Sequence, residues 1–348
     1  MTKFSIGGPA RVALAAVLAV LVLATPASAA PATGGSTTLK LGGPTAGLLA
    51  IAGVSVKAVA PATKSSSGLK FPISSGTINP GNLRGSINHR GAVRFSLGGR
   101  SIVLRSLRVS VTSGGASMSA SVAGRRISIL RLSLAKVKIG TSGASATATG
   151  ITATLSSKGA RAINKEIGTS LFEAGLKVGT VSEKITLGNV TVGGGLTTLT
   201  PATEVSAALA AVGVTLAPTG NASATANGFG FPITGGKINL GTFAGTILHA
   251  GSGITASRGA ASLTLSDFQV TIGASSSLSA LVGGTRTTIL ALDLSSVSFS
   301  ATAGGRIAAN IGATLTDSAA GALNAAFDTT VFSSGLRLGT VSIGVKTS

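Results

Sequence analysis

The chain has 348 residues, a net charge of +20 and a mean hydropathy of +0.55. It contains no Cys, Trp or Tyr and only two His, which excludes disulfide scaffolds, thiol catalysis, Cys-ligated metal sites and a three-His metal centre. Charged residues make up 10% and hydrophobic residues 44%, so the composition excludes a disordered basic tail and indicates a globular protein.

Residues 1–29 predict a secretory signal peptide. Lys3 and Arg11 give the N-terminal segment a positive charge, and an apolar run follows over 12–23. Ala27-Ser28-Ala29 has the small-x-small pattern of a cleavage site. The run is too short to cross a hydrocarbon core of ~30 Å. A buried hydrophobic helix is the alternative interpretation. We therefore expect a secreted protein, with or without association to the cell surface, and no transmembrane segment in the mature chain.

The rest of the chain is an internal repeat with a spacing of 160 residues. Phe71-Pro72-Ile73 recurs as Phe231-Pro232-Ile233. When residues 151–182 are aligned with residues 311–342, 15 of the 32 positions are identical. A repeat of this length is the signature of two copies of one domain. We place the first domain at 37–188 and the second at 196–348, with the glycine-rich segment 189–195 as a linker.

Within each copy, most apolar residues recur with period two, which is typical of half-buried strands. Ile87, Val93, Phe95 and Leu97 share one parity, and short segments of this kind are separated by Gly and Ser. Helical spacing appears only near the start and the end of each copy, as in 204–212 and 159–167. The predicted fold is mainly β: two tandem antiparallel β-sandwich-like domains, each with two short helices.

His89 and His249 are the two histidines, and they occupy equivalent repeat positions. Each shares strand parity with an inward-facing isoleucine, so each is expected to point towards the apolar side. One interpretation is a ligand-binding residue; the other is a buried histidine whose ring N–H satisfies a backbone carbonyl. No acidic residue recurs between the copies, so the parts for paired-carboxylate or triad catalysis are lacking and we expect no enzyme and no metal site.

The positive charge is concentrated in the first copy. Residues 31–190 contain 20 Lys and Arg against 3 Asp and Glu, whereas residues 191–348 contain 6 against 5. Such a field attracts polyanions, although a solvated surface is the alternative. Nucleic acid is a disfavoured partner because Tyr and Trp are absent for base stacking. The candidate polyanion-binding residues are Arg84, Arg90 and Arg94 on one predicted strand, with Arg126, Arg131, Lys136 and Lys138 on another hairpin.

The order of motifs resembles the HtaA-type domain of secreted and surface proteins in high-GC Gram-positive bacteria. The shared pattern is an early helix ending in Gly-Val, then Phe-Pro-Ile, Gly-x-Ile-x-His-x-Gly and Phe-x-x-Gly-Leu-x-x-Gly-Thr, over roughly 37–182 and 197–342. The resemblance implies β-rich domains and haem as the cofactor. In haem-binding members an axial tyrosine assisted by a histidine holds the iron. The histidine carries over to His89 and His249, but this chain has no tyrosine.

Two functions follow as hypotheses. The first is a secreted, non-enzymatic protein whose HtaA-like domains bind haem or another small ligand. The second is a cell-envelope attachment protein whose basic first domain binds anionic wall or membrane polymers.

Overall fold

The computed structural model describes residues 29–80, 82–302 and 305–347, so the predicted signal peptide lies outside the described residues except for Ala29. Two mainly β domains follow one another, each built on one 12-stranded antiparallel sheet with two short helices. This architecture confirms the predicted fold class. Over the described ranges, no helix is both long and apolar enough to cross a membrane.

The first domain contains helices α1 (Gly43–Ile51) and α2 (Ser157–Ile167). Its strands are β1 (Ala30–Leu41), β2 (Ser55–Val59), β3 (Thr63–Ser65), β4 (Gly68–Ile78), β5 (Gly85–His89), β6 (Ala92–Leu97), β7 (Arg100–Thr112), β8 (Gly115–Val122), β9 (Arg125–Ser133), β10 (Lys138–Ser142), β11 (Ser145–Leu155) and β12 (Lys177–Leu187).

The second domain contains helices α3 (Thr203–Ala211) and α4 (Asp317–Phe327). Its strands are β13 (Asn189–Pro201), β14 (Thr215–Gly220), β15 (Ser223–Thr225), β16 (Gly228–Pro232), β17 (Gly235–Asn239), β18 (Gly245–Arg258), β19 (Ala261–Ile272), β20 (Ser277–Val282), β21 (Thr285–Asp293), β22 (Ser298–Thr302), β23 (Gly305–Leu315) and β24 (Arg337–Thr347).

Each sheet closes on itself as a flattened barrel. In the first domain the pairing runs β7-β5-β4-β1-β12-β11-β9-β8, and β8 pairs back to β7. In the second domain β17 pairs with both β13 and β18, and the same circuit is completed through β19, β20, β21, β23 and β24. Closure leaves an interior that receives every second side chain of each strand, which accounts for the period-two pattern.

The glycine-rich segment 189–195 is not a linker; it is the first half of β13, which pairs with β17 and β24. Its glycines serve a β-bulge between Val192 and Gly194. A Cβ at Gly195, where φ is +129°, would lie 2.0 Å from the Gly344 carbonyl oxygen. The first domain has the same bulge at Gly34 and Gly35, so these glycines belong to the repeat.

The single strand expected through Arg84, Arg90 and Arg94 is also wrong. Arg84 precedes β5, Arg90 lies in a turn and Arg94 lies on β6. At Gly91 the φ angle is +85° and a Cβ would lie 2.4 Å from the Ala62 backbone nitrogen. The chain therefore turns where it approaches the β2–β3 connection, whereas the second domain continues as one strand, β18, with a bulge.

Candidate functional site

His89 ends strand β5 inside the first barrel, where it is 5% exposed. Its Nδ1 lies 3.1 Å from the Leu107 carbonyl oxygen, and its Nε2 lies 2.6 Å from the Thr37 hydroxyl. A carbonyl only accepts, so Nδ1 carries a hydrogen and, in the neutral ring, Thr37 donates to Nε2. Burial lowers the pKa of His89, and the hydrogen bond to Leu107 opposes that shift. The site favours the neutral imidazole.

The second barrel repeats this arrangement around His249, which is 1% exposed. Its Nδ1 lies 3.3 Å from the Phe268 carbonyl oxygen and its Nε2 lies 2.7 Å from the Thr197 hydroxyl. Burial lowers the pKa of His249 to about 4, against the raising effect of the Phe268 hydrogen bond. In both domains the ring nitrogens are thus engaged by the protein itself.

Glu183 adds an acid to the first of these pairs. On β12 it lies between Thr37 of β1 and Ala148 of β11, and it is 5% exposed. Its Oε1 lies 3.5 Å from the Thr37 hydroxyl oxygen. Burial raises the pKa of Glu183 to about 7, and the Thr37 hydrogen bond opposes the rise. Thr37 has one hydroxyl hydrogen, which it donates to Oε1 when Glu183 is ionised. A protonated Glu183 can instead donate to Thr37 and leave that hydrogen for His89 Nε2, which satisfies all three groups in one neutral chain.

The second domain has Ile343 where the first has Glu183. Ile343 lies opposite Thr197 on β13 and Ala308 on β23, and it is fully buried. The Thr–His pair forms there without an acid, so the carboxyl is a feature of the first domain alone.

An acid, a hydroxyl and a base therefore meet in the first domain, contrary to the expectation that the chain lacks such a combination. Glu183, Thr37 and His89 are each 5% exposed or less, and none lines the interior cavity of that domain. They face protein instead of a substrate site. The signal that reveals Glu183 is its parity, because it lies on the same inward face of β12 as the buried Val181 and Ile185.

The interior of the second barrel holds a cavity of about 690 Å³. This volume lies within the roughly 300–1,000 Å³ that is common for small-molecule sites. His249 does not line it; Phe231 does, and its ring lies T-shaped to the imidazole of His249 with centroids 6.4 Å apart. The barrel wall contributes apolar side chains that include Phe231, Phe268, Leu278, Leu290 and Leu315, and the rim contributes Ser206, Thr215 and Asn227.

The first barrel has nearly the same lining, position for position, but its cavity is only about 50 Å³. Phe95 fills it by packing edge-on against Phe172, with ring centroids 6.1 Å apart and an interplanar angle of 87°. The counterparts in the second domain are Ala256 and Phe332, so one ring of the pair is missing. The second domain has larger residues elsewhere in the barrel, such as Phe268 for Leu107. Its cavity also extends along α3 and to residues 213–216 and 227–228, whose counterparts do not line the first cavity.

Helices α1 and α3 cover these cavities differently. In α1, the Thr45 hydroxyl donates to the Lys177 carbonyl oxygen of β12 at 2.6 Å, and Leu49 is buried. In α3 the counterpart of Thr45 is Val205, which has no hydroxyl, and Leu209 is only partly buried. Val205, Ser206, Leu209 and Ala210 all line the second cavity, so α3 forms its cover without the hydrogen bond that fastens α1.

The seven predicted polyanion-binding residues are all exposed, but they do not form one patch. Arg84 and Arg90 lie at turns beside β5, while Lys136 and Lys138 belong to the turn before β10 and its start. Arg126 stabilises the fold locally, because it donates to the Ser106 carbonyl oxygen at a bulge, and Arg286 makes the same bond to Asp267. The Arg126 guanidinium is therefore already bound to protein.

The topology instead assembles a row of cations that sequence parity did not reveal. Lys57 on β2 lies opposite Arg94 on β6, and β7 next to it carries Arg105 and Arg108 on the same outward side. Across β8, Arg105 pairs with Ser121 and Arg108 with Ser119, whereas Arg131 on β9 pairs with Ser117, two residues further along the same outward face. We call Lys57, Arg94, Arg105, Arg108 and Arg131 the basic stripe. The second domain has uncharged residues at all five positions, namely Ala217, Thr255, Ser266, Gln269 and Ala291.

Comparison with known proteins agrees with the motif pattern. Residues 47–171, which lie inside the first domain, match the family model described as Htaa. The first domain belongs to the HtaA family. The second domain repeats its barrel circuit and both helices. No curated protein matches the chain.

Two solved structures are similar to part of the chain. One is the C-terminal domain of HtaA from Corynebacterium glutamicum, 20% identical, with a TM-score of 0.36 and coverage of 46% of this chain and 100% of that one. The other is a domain-swapped dimer of a histidine-to-alanine variant of that domain, 21% identical, with a TM-score of 0.32 and coverage of 43% and 95%.

The residues of this chain do not fit the ligation of haem iron, which the HtaA resemblance implies. Haem iron is held by an axial His, Cys, Met or Tyr. The cavity of the second domain is lined by none of these, and both histidines have their two ring nitrogens in protein hydrogen bonds. Among the described residues, no three His, Asp or Glu side chains come together to hold a metal ion.

Proposed function

We propose that this chain is an exported, non-enzymatic binding protein whose second domain holds a small ligand inside its barrel. The observation that carries the proposal is the contrast between about 690 Å³ and about 50 Å³ at matching positions of one repeated fold. Barrels of this size either fill with side chains or hold one small ligand. The first domain represents the filled case and the second the open one.

Haem is one ligand to test, because the HtaA resemblance implies it. His89 and His249 enter this proposal as residues beside the interior that shape it, with His249 supporting Phe231 at the cavity wall. Direct iron ligation by either histidine requires its threonine hydrogen bond to break.

Two titrations of the full chain test the proposal. The apolar fluorophore N-phenyl-1-naphthylamine should bind saturably with one site per chain, and hemin should give no saturable Soret shift of an axially ligated iron. Absence of saturable fluorophore binding contradicts the proposal of a ligand site. A saturable Soret shift that His249→Ala abolishes supports haem ligation instead and contradicts the assignment of His249 as a structural residue.

A second function is favoured by the basic stripe: attachment of the first domain to an anionic wall or membrane polymer. Five cations share one outward face, and of the three acids in residues 31–190, Glu183 is buried. Because the charge is absent from the second domain, the fold does not require it. This pattern is what an electrostatic attachment surface needs.

Sedimentation of the full chain with isolated cell walls across a salt series tests this function. Binding should weaken steeply as sodium chloride rises, because exposed charges are screened. Replacing Arg94, Arg105 and Arg108 by Gln should reduce binding more than replacing Arg84, Arg90 and Lys138, which removes the same charge away from the stripe. Equal losses would show a non-specific charge effect, and salt-insensitive binding would contradict the function.

A further inference from the structure

The lining of the second cavity restricts the chemistry of its ligand, and we infer that domain 2 binds an uncharged lipid: an apolar chain with a neutral hydrogen-bonding head group. This inference rests on the proposed function, because it names the ligand class of the same site.

The wall of the cavity is apolar throughout its depth. Leucine, isoleucine, valine and phenylalanine side chains supply the contacts, and no Lys, Arg, His, Asp or Glu is present in the lining. An ionised group taken into such an interior has no partner for its charge, which makes its burial strongly unfavourable. A flexible hydrocarbon chain loses no hydrogen bonds on entry, and its transfer from water to the apolar interior is favourable through the hydrophobic effect.

The polar groups that do line the cavity are neutral and lie at its rim. Ser206 is exposed on α3, Thr215 begins β14, and Asn227 lies in the turn before β16. Ser206 donates to the Ala202 carbonyl oxygen and Thr215 to the Ser257 carbonyl oxygen, so their hydroxyl oxygens are left to accept. The Asn227 amide can both donate and accept, which suits a hydroxyl, ester or amide head group. The first domain has Ala46, Ser55 and Ser67 at these positions, so the amide of Asn227 and the hydroxyl of Ser206 belong to the open domain alone.

The charges nearest to the rim along the chain do not favour an ionised head group of either sign. Glu204 precedes Val205 on α3, and Arg337 precedes Leu338 on β24; both are exposed and neither lines the cavity. Because one is acidic and the other basic, the two charges together favour neither an anionic nor a cationic head group.

Displacement of N-phenyl-1-naphthylamine from the full chain tests the inference. The competitors are decanol, decanoate and decylammonium, which share one chain length and differ in head-group charge, each used below its micelle-forming concentration. Decanol should displace the fluorophore at a concentration about 10-fold lower than either ion, because the ions must leave their charge in water or bury it unpaired. Fluorophore binding that no competitor displaces contradicts the lipid inference but leaves the ligand site standing. Decanoate equal to decanol, with a loss of that binding in Arg337→Gln, would overturn it in favour of an anionic lipid.

Two phenylalanine variants locate the binding. Ala256→Phe restores the ring that Phe95 supplies in the first domain and should abolish displacement by decanol. Thr255→Phe introduces the same ring on the opposite, outward side of β18 and should bind as the wild type does. Should Ala256→Phe fail to fold, Ala256→Leu with a graded loss of affinity gives the same answer; unchanged binding in both variants places the lipid elsewhere and contradicts the inference.

Discussion

Glu183 and Ile343 hold equivalent positions against the Thr–His pairs of the two barrels, and only Glu183 can ionise there. Burial raises the pKa of Glu183 to about 7 from an ordinary value of 4.5. Because the folded-state pKa lies above the unfolded-state value, the contribution of this group to stability is complete below pH 4.5. It is lost as the pH rises through about 7.

Replacement of Glu183 by Ile should therefore remove a pH-dependent term from the stability of the first domain. Between pH 4.5 and pH 8, the free energy of unfolding of the variant relative to wild type should increase by about 3 kcal/mol. Burial lowers the pKa of His89, but that histidine is common to both proteins and its effect cancels in the difference. Native-state hydrogen exchange of β1 and β12 in the full chain measures this difference in the free energy of unfolding.

The reverse substitution, Ile343→Glu, is the matched control. The variant should introduce the same loss of stability at high pH into the second domain. In wild type, His249 gives that domain the opposite trend. Because its pKa is lowered to about 4, stability falls as the pH drops below 6.5. Parallel stability curves for Glu183→Ile and wild type from pH 4.5 to pH 8 would contradict a titrating carboxyl in the barrel.

The hydroxyl at the centre of each pair predicts unequal effects of one substitution. Thr37→Val removes a hydrogen-bond partner from both His89 and Glu183, whereas Thr197→Val removes one from His249 only. A buried polar group left without its partner costs about 1–3 kcal/mol. Thr37→Val should therefore destabilise its domain more than Thr197→Val does, as seen by hydrogen exchange of the two barrels. Equal effects would show that Glu183 does not depend on Thr37.

The repeat and the period-two pattern predicted two mainly β domains because the buried face of each strand can be read locally, and helical spacing predicted the short helices; closure of each sheet into a barrel was not predicted. The interpretation of 189–195 failed for a physical reason. Glycines of a flexible linker and glycines of a β-bulge have the same composition, and only the closeness of Gly195 to the Gly344 carbonyl distinguishes them. Their recurrence at Gly34 and Gly35 was the available signal.

The candidate site was predictable only in part. His89 and His249 occupy equivalent positions of the repeat, and each has a threonine hydroxyl at Nε2 and a backbone carbonyl at Nδ1. The cavity was not predictable, because its volume depends on how side chains from distant strands and α3 pack together. The substitution of Phe95 by Ala256 can be interpreted only when the structure shows that Phe95 packs against Phe172 and that Ala256 and Phe332 line the second cavity.

Phe95→Ala should open the first barrel. Removal of the ring that packs on Phe172 leaves space at the position where the second domain is open, with a loss of stability of about 3 kcal/mol. Fluorophore titration should then rise from one site to two per chain. Leu97→Ala is the control, because Leu97 lies on the same strand but does not line the cavity; its stoichiometry should stay at one. A single site in Phe95→Ala would show that the barrel collapses around the lost ring.

Gly195→Ala should destabilise the second domain, because the new Cβ would clash with the Gly344 carbonyl oxygen 2.0 Å away at a positive φ of +129°. Strain of this kind costs of order 1–3 kcal/mol. Gly194→Ala is the neighbouring control, since its Cβ would meet nothing within 4 Å, and its effect should stay within about 0.5 kcal/mol. Thermal melts of the two variants compare them directly. Equal stability of the Gly195→Ala and Gly194→Ala variants would support the interpretation of 189–195 as a linker.

Val205→Thr should fasten α3 over the second cavity. The first domain shows the geometry: the Thr45 hydroxyl of α1 donates to the Lys177 carbonyl oxygen at 2.6 Å, and the repeat places Val205 opposite Arg337 in the same way. One such bond contributes about 1 kcal/mol. If α3 must move for a ligand to enter, stopped-flow mixing should show slower association of the fluorophore in Val205→Thr. Thr45→Val, which loosens α1 over the closed barrel, should leave that rate unchanged. An unchanged association rate in Val205→Thr would place the entry route away from α3, between the strands at the barrel rim.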